Sequence, residues 1–168
     1  MILEGKTVVV SGVGAGLGRE IAALAIRDGA NVVLGARTEA QLERVAKEID
    51  PSGRRVAFVR ADLLDEGQCD ALAELAMTRF GRLDALVQVA AYDTAFGGLR
   101  DGDLADFQKT CEVNVVGSTR MVRAVAPRMQ RSGGGSIVLI GAQASFKPMS
   151  DAPQMAYAAS KGALRSVM

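Results

Sequence analysis

Five short apolar runs recur along the chain, and they alternate with segments of helical periodicity. The runs are KTVVVSG at 6–12, NVVLGAR at 31–37, RVAFVRA at 55–61, RLDALVQVAA at 82–91 and SIVLIGA at 136–142. Strands that alternate with helices pair in parallel, because a parallel pair needs a crossover and each crossover helix covers the sheet. The pattern predicts a doubly wound parallel α/β sheet with helices on both faces.

The intervening segments carry apolar stripes. LGREIAALAIRDG sets Leu17, Ile21 and Leu24 at helical spacing, and TEAQLERVAKEID sets Leu42, Val45, Ala46 and Ile49 on one face. Thr38 and Gln41 ahead of that face are spaced as a capping box, and Pro51 with Gly53 stops the helix. DEGQCDALAELAMTRF reads as a third helix, a fourth runs through Val115 to Met129, and a last one begins near Pro153 and is still running at Met168. A chain of 168 residues with 49% hydrophobic content is expected to form one domain over 1–168.

Composition narrows the chemistry. Twenty Lys and Arg against nineteen Asp and Glu leave a formal charge of +1, so neither nucleic acid nor an anionic membrane is expected as a partner. There is no histidine, which removes imidazole metal sites and every nucleophile paired with an imidazole. No metal is expected. Cys69 and Cys111 lie in helical segments, and the apolar run before Ser11 is too short for a secretory core, which together predict reduced thiols and a cytoplasmic address.

SGVGAGLGRE places Gly12, Gly14, Gly16 and Gly18 between the first strand and the first helix. Glycines there let the backbone approach a pyrophosphate without a Cβ in the way, while the helix N-terminal amides face the negative charge. The nucleotide-facing turn is therefore Ser11, Gly12, Gly14, Ala15, Gly16, Leu17 and Gly18. The second strand ends in Arg37 with no acid at its tip. A guanidinium holds a phosphate bidentately, so Arg37 points to NADP, with NAD as the alternative.

In these residues the chain resembles the short-chain dehydrogenase/reductase family, nearly from end to end. The T-G-x-x-x-G-x-G turn of that family, part of a Rossmann fold, matches Ser11, Gly12, Gly16 and Gly18, with serine for threonine. The resemblance further implies Asp62 and Leu63 against the adenine and Ala90 and Ala91 as a backbone wall for the cofactor. It implies Asn114 as the holder of a proton-relay water, and Tyr157 with Lys161 as the Y-x-x-x-K pair, both also against the cofactor, with Lys161 on its nicotinamide ribose. It also implies a homodimer or homotetramer built on 115–131 and 154–168, and a small-molecule alcohol or ketone as substrate. The family's C-terminal third, with its further strands, has no counterpart here.

Two positions depart from the pattern. Gln88, Val89, Ala90 and Ala91 stand where the family carries N-N-A-G, and Ala142 stands at the serine of its G-S-I-V-x-I-S-S strand. Tyr157 and Lys161 at i and i+4 share one helical face, where an ammonium beside the phenol favours the phenolate and suits the pair to proton exchange with an alcohol. The missing hydroxyl leaves Ser145, then Gln143, as donors for the carbonyl, or none. Two expectations follow: an NAD(P)-dependent oxidoreductase weakened at Ala142, or a non-catalytic NADP-binding module that dimerises or regulates.

Overall fold

Every residue of Thr7–Ser11 is buried, as a strand covered on both faces must be. This strand, β1, lies at the centre of a parallel five-stranded sheet, in which the strands stand in the order third, second, first, fourth, fifth of the chain. The computed structural model describes residues 1–147 and 153–167. Part of the segment between the fifth strand and the last helix, 148–152, and Met168 lie outside the described residues.

In chain order, β1 leads to α1 (Leu17–Arg27), β2 (Asn31–Ala36), α2 (Glu39–Ile49), β3 (Val56–Arg60), α3 (Glu66–Phe80) and β4 (Ala85–Gln88). Then come α4 (Leu104–Cys111), a π turn (Glu112–Gly117), α5 (Ser118–Arg131), β5 (Ser136–Leu139), a short 3-10 turn (Gln143–Ser145) and α6 (Met155–Val167). Among the described residues no helix is long and apolar enough to cross a membrane.

The chain divides into two compact units, Met1–Ala90 with Arg120–Val138, and Ala91–Thr119 with Leu139–Met168. In the first, β1 pairs with β2 so that Ser11 stands opposite Gly35, and with β4 so that Ser11 stands opposite Gln88. Val8, Val10, Val32 and Leu34 share one sheet face and pack with Ala22, Ala25 and Ile26 of α1 and Leu42, Val45 and Ala46 of α2. Gly35 points to the other face, where a Cβ would stand 2.3 Å from Leu72 Cδ2 of α3. Next to α3 lies α5, joined to it by Arg128, which bonds Asp70 at 2.9 Å and Glu74 at 3.0 Å.

In the second unit α4 lies against α6. The segment after residue 91 is tied to the start of α6 where Gly97 donates to the Pro153 carbonyl at 2.8 Å and accepts from Met155 at 3.1 Å. The π turn buries Asn114 and Gly117.

Several local expectations change. The buried face of α1 is Gly18, Ala22, Ala25 and Ile26, while Leu17 and Leu24 are exposed. A Cβ on Gly18 would stand 2.4 Å from the Gly12 carbonyl oxygen, so α1 approaches too closely for a leucine stripe to face the strand. The capping box at Thr38 does not form: its side chain caps nothing, and its carbonyl accepts the amides of Gln41 and Leu42. A helical segment already begins at Leu104, eleven positions before Val115, and passes through the π turn. Both cysteines are free, and burial pushes the Cys69 thiol up to about 11.

Candidate functional site

The candidate residues fall into two groups, one in each unit. In the first, the glycine turn is hung from neighbouring strand ends by backbone bonds alone. The Gly35 carbonyl accepts the amides of Gly12 at 2.8 Å and Val13 at 3.1 Å, and the Ser11 carbonyl accepts those of Val89 at 2.8 Å and Ala90 at 2.9 Å. Gly12 has φ +100°, and a Cβ there would stand 2.1 Å from the Ala90 nitrogen. Only glycine fits that position.

Beyond Gly12 the turn opens. A Cβ on Gly16 would meet nothing within 4 Å, and one on Gly14 would meet only the Gln41 side chain, at 3.8 Å. Gly16 caps α1 without a side chain, and its carbonyl takes the amides of Arg19 and Glu20. An open floor at the N-terminus of an eleven-residue helix has room and amides for a phosphate, so these residues fit the pyrophosphate part of a dinucleotide. Ala15, Gly16 and Leu17 are exposed there, whereas Ser11 and Gly18 are buried.

Arg37 is exposed just past β2 and makes no ion pair among the described residues. Asp62 uses Oδ1 to accept the Leu64 amide at 3.0 Å, and Leu63 is a core side chain whose carbonyl accepts from Arg120 at 3.1 Å. Gln88, first of the departing quartet, is buried; its Nε2 donates to the Ala90 carbonyl at 3.2 Å, and its Oε1 has no partner among the described residues. The longer side chain thus braces Ala90, the residue packed on Gly12.

In the second unit Tyr157 and Lys161 share a face of α6, with Nζ 5.7 Å from the phenol ring centroid. Lys161 is buried and donates to the Ile140 carbonyl at 2.7 Å. Burial lowers its pKa, while Asp93 partly restores the ammonium. The same two influences, burial first and then Asp93, raise the Tyr157 pKa. Burial and Asp93 thus work against the phenolate that the neighbouring ammonium was expected to favour.

Asn114 commits both of its side-chain amide hydrogens. Its Oδ1 accepts the Tyr92 amide at 2.7 Å, and its Nδ2 donates to the Tyr92 carbonyl at 3.0 Å and to Ser160 Oγ at 2.9 Å. With both amide hydrogens committed, the side chain itself offers a relay water only the remaining Oδ1 lone pair. Ala142 is extended at the head of the 3-10 turn, and its carbonyl accepts the Ser145 hydroxyl at 2.7 Å. That hydroxyl closes its own turn. Gln143 opens the turn, and Ala91 is exposed.

Sequence reasoning missed Asp93 and Ser160. Nothing in the order of residues marked Asp93, but Ser160 stands inside the quoted Y-x-x-x-K stretch, one position before the lysine.

A family model described as short chain dehydrogenase matches residues 6–168. The 7alpha-hydroxysteroid dehydrogenase of Escherichia coli is 34% identical over 163 residues, which cover 96% of this chain and 62% of that protein. Xylitol dehydrogenase, solved with NAD+ bound, superposes with a TM-score of 0.90 at 26% identity, over 98% of this chain and 63% of that one. A short-chain dehydrogenase from Shigella flexneri 2a, solved with NADP, superposes with a TM-score of 0.89 at 29% identity, over 99% of this chain and 70% of that one. The chain thus spans less than two thirds of the length of its hydroxysteroid dehydrogenase relative.

Proposed function

The chain belongs to the short-chain dehydrogenase family, and from that premise we propose that it interconverts a secondary alcohol and a ketone with a nicotinamide dinucleotide. The observation that carries this reading is the Tyr157 phenol on the same face of α6 as the buried Lys161, whose Nζ lies 5.7 Å from the ring centroid. The cofactor supplies or accepts the hydride when bound.

In the reductive direction Tyr157 donates its phenolic proton to the carbonyl oxygen, so that addition of hydride at carbon yields a neutral alcohol. Reduction needs the protonated phenol, the form that burial and Asp93 favour. Lys161 spends one of its three N–H donors on Ile140, which leaves two for the cofactor's ribose. The dinucleotide would lie on the turn from Ser11 to Gly18, with Asp62, Leu63, Ala90 and Ala91 as its further contacts. Arg37 favours NADP, because an exposed guanidinium is free to pair with the extra phosphate.

Ala142 offers no donor to the oxygen where charge develops, and Ser145 spends its hydroxyl on its own turn. The proposed enzyme is therefore slow in its chemical step. The test is steady-state reduction of a panel of ketones with NADPH by the protein that carries this chain. Tyr157→Phe is expected to lower turnover about 10²-fold or more and to leave nucleotide binding intact. Turnover indifferent to Tyr157→Phe would overturn Tyr157 as proton donor, and a parent protein that binds nucleotide without turnover would leave the non-catalytic nucleotide-binding reading.

A further inference from the structure

Asn114 and Ser160 are both sealed from solvent, at 0% exposure each. Asn114 stands in the π turn, and Ser160 stands one residue before Lys161 on α6. Their side chains form a hydrogen-bonded chain whose direction is dictated by the backbone of Tyr92. The Tyr92 amide donates to Asn114 Oδ1 at 2.7 Å, and the Tyr92 carbonyl accepts from Asn114 Nδ2 at 3.0 Å. Turned over, the side-chain amide would set nitrogen against N–H and oxygen against carbonyl, so only one orientation satisfies Tyr92.

The second amide hydrogen of Asn114 then meets Ser160 Oγ at 2.9 Å, and the hydroxyl must accept it. The Ser160 proton goes to the Tyr157 carbonyl at 2.8 Å. Helical geometry also directs the Lys161 amide to that carbonyl, four residues back. The chain of bonds therefore ends between the two residues of the pair.

We infer that Ser160 is a positioning residue for Tyr157 and Lys161, transmitting through Asn114 the placement of the segment at Tyr92. The inference rests on the oxidoreductase reading above. A helical serine that merely satisfies itself bonds a carbonyl of its own preceding turn and stops there. Ser160 does that and also accepts from a side chain 46 positions away. The same segment is tied to the head of α6 a second time, where Gln154 Nε2 donates to the Asp93 carbonyl at 3.1 Å. Two ties, one at the head of the helix and one at its middle, hold residues 92 and 93 in register with the Tyr157 turn. Asp93 is the carboxylate that acts on both members of the pair.

The test measures ketone reduction with NADPH for Ser160→Ala, Ser160→Thr, Asn114→Ala and the double Ser160→Ala/Asn114→Ala, with nucleotide affinity determined alongside. Ser160→Ala is expected to lower kcat about tenfold or more, because a small displacement of a reacting group is costly in rate. KM and nucleotide affinity are expected to stay within about twofold, and the double variant to be no slower than the worse single one, since both break one chain. Ser160→Thr keeps the hydroxyl and recovers most of the loss. An unchanged kcat in Ser160→Ala overturns the inference, as does a loss that threonine does not recover or that falls equally on nucleotide affinity. Tyr157→Phe separates the two claims. If it abolishes turnover while Ser160→Ala does not slow it, only the inference fails; if turnover survives Tyr157→Phe, the reading fails and takes the inference with it.

Discussion

The glycine turn and the Tyr157 region are made in opposite ways. Around Gly12 the structure is backbone against backbone: carbonyls of Ser11 and Gly35 hold amides, and the side chains matter chiefly by their absence. Around Tyr157 it is side chain against distant backbone: Asn114 reaches Tyr92 across 22 positions, and Lys161 reaches Ile140 across 21. A backbone cradle arises from a strand, a turn and a helix adjacent in the chain. The protonation of a buried side chain depends on whatever the tertiary fold brings beside it, and can run against an expectation drawn from its neighbour on the helix.

If the Tyr157 region is limited by a missing side chain, restoring that side chain has the largest effect. Ala142→Ser is expected to raise kcat for ketone reduction about 10²-fold, because a hydroxyl bonds a developing alkoxide more strongly than a ground-state carbonyl. Rate measurements that show little change in Ala142→Ser and a collapse in Ser145→Ala would assign the donor to Ser145 instead.

The glycine turn is sensitive in the reverse sense, to atoms added. Gly12→Ala drives a Cβ into Ala90 from a left-handed backbone, and is expected to cost about 2–3 kcal/mol and lower Tm by several degrees. Gly16→Ala meets open space, so Tm should hold while nucleotide affinity falls. Equal melting shifts from the two variants would show that the turn is not organised around Gly12.

Arg37 tests whether any side chain contributes to selectivity in the first region. NADPH is expected to stabilise the protein more than NADH in a thermal shift, and Arg37→Ala to erase a preference of about tenfold. Matching shifts from both cofactors in the parent protein would remove Arg37 from the site.

The smallest effect lies in pH. If the proposed reaction holds, oxidation of an alcohol needs the phenolate of Tyr157, whose pKa is raised by burial and by Asp93, so the oxidative rate should climb with pH through the alkaline range. Asp93→Asn removes one raising influence and should move that profile to lower pH, whereas reduction, which uses the neutral phenol, should stay level across neutral pH. An oxidative profile unmoved by Asp93→Asn would separate Asp93 from the pair.

The order of residues alone predicts the alternation of strand and helix, and with it the parallel sheet. It also placed the glycines between β1 and α1 and set Tyr157 and Lys161 one turn apart. These are properties of spacing along a single element or across one turn, where backbone geometry leaves few choices. Tertiary packing makes α1 bury Ala22, Ala25 and Ile26 in place of Leu17 and Leu24, because the limit is how near the helix comes to the Gly12 carbonyl. It also turns Asn114 inward through a π turn onto Tyr92 and Ser160, and places Asp93 where it acts on Tyr157. The reason is the same in each case: a hydrogen-bond partner or a neighbouring charge from a distant segment is absent from local periodicity, and burial strengthens its influence once the fold supplies it.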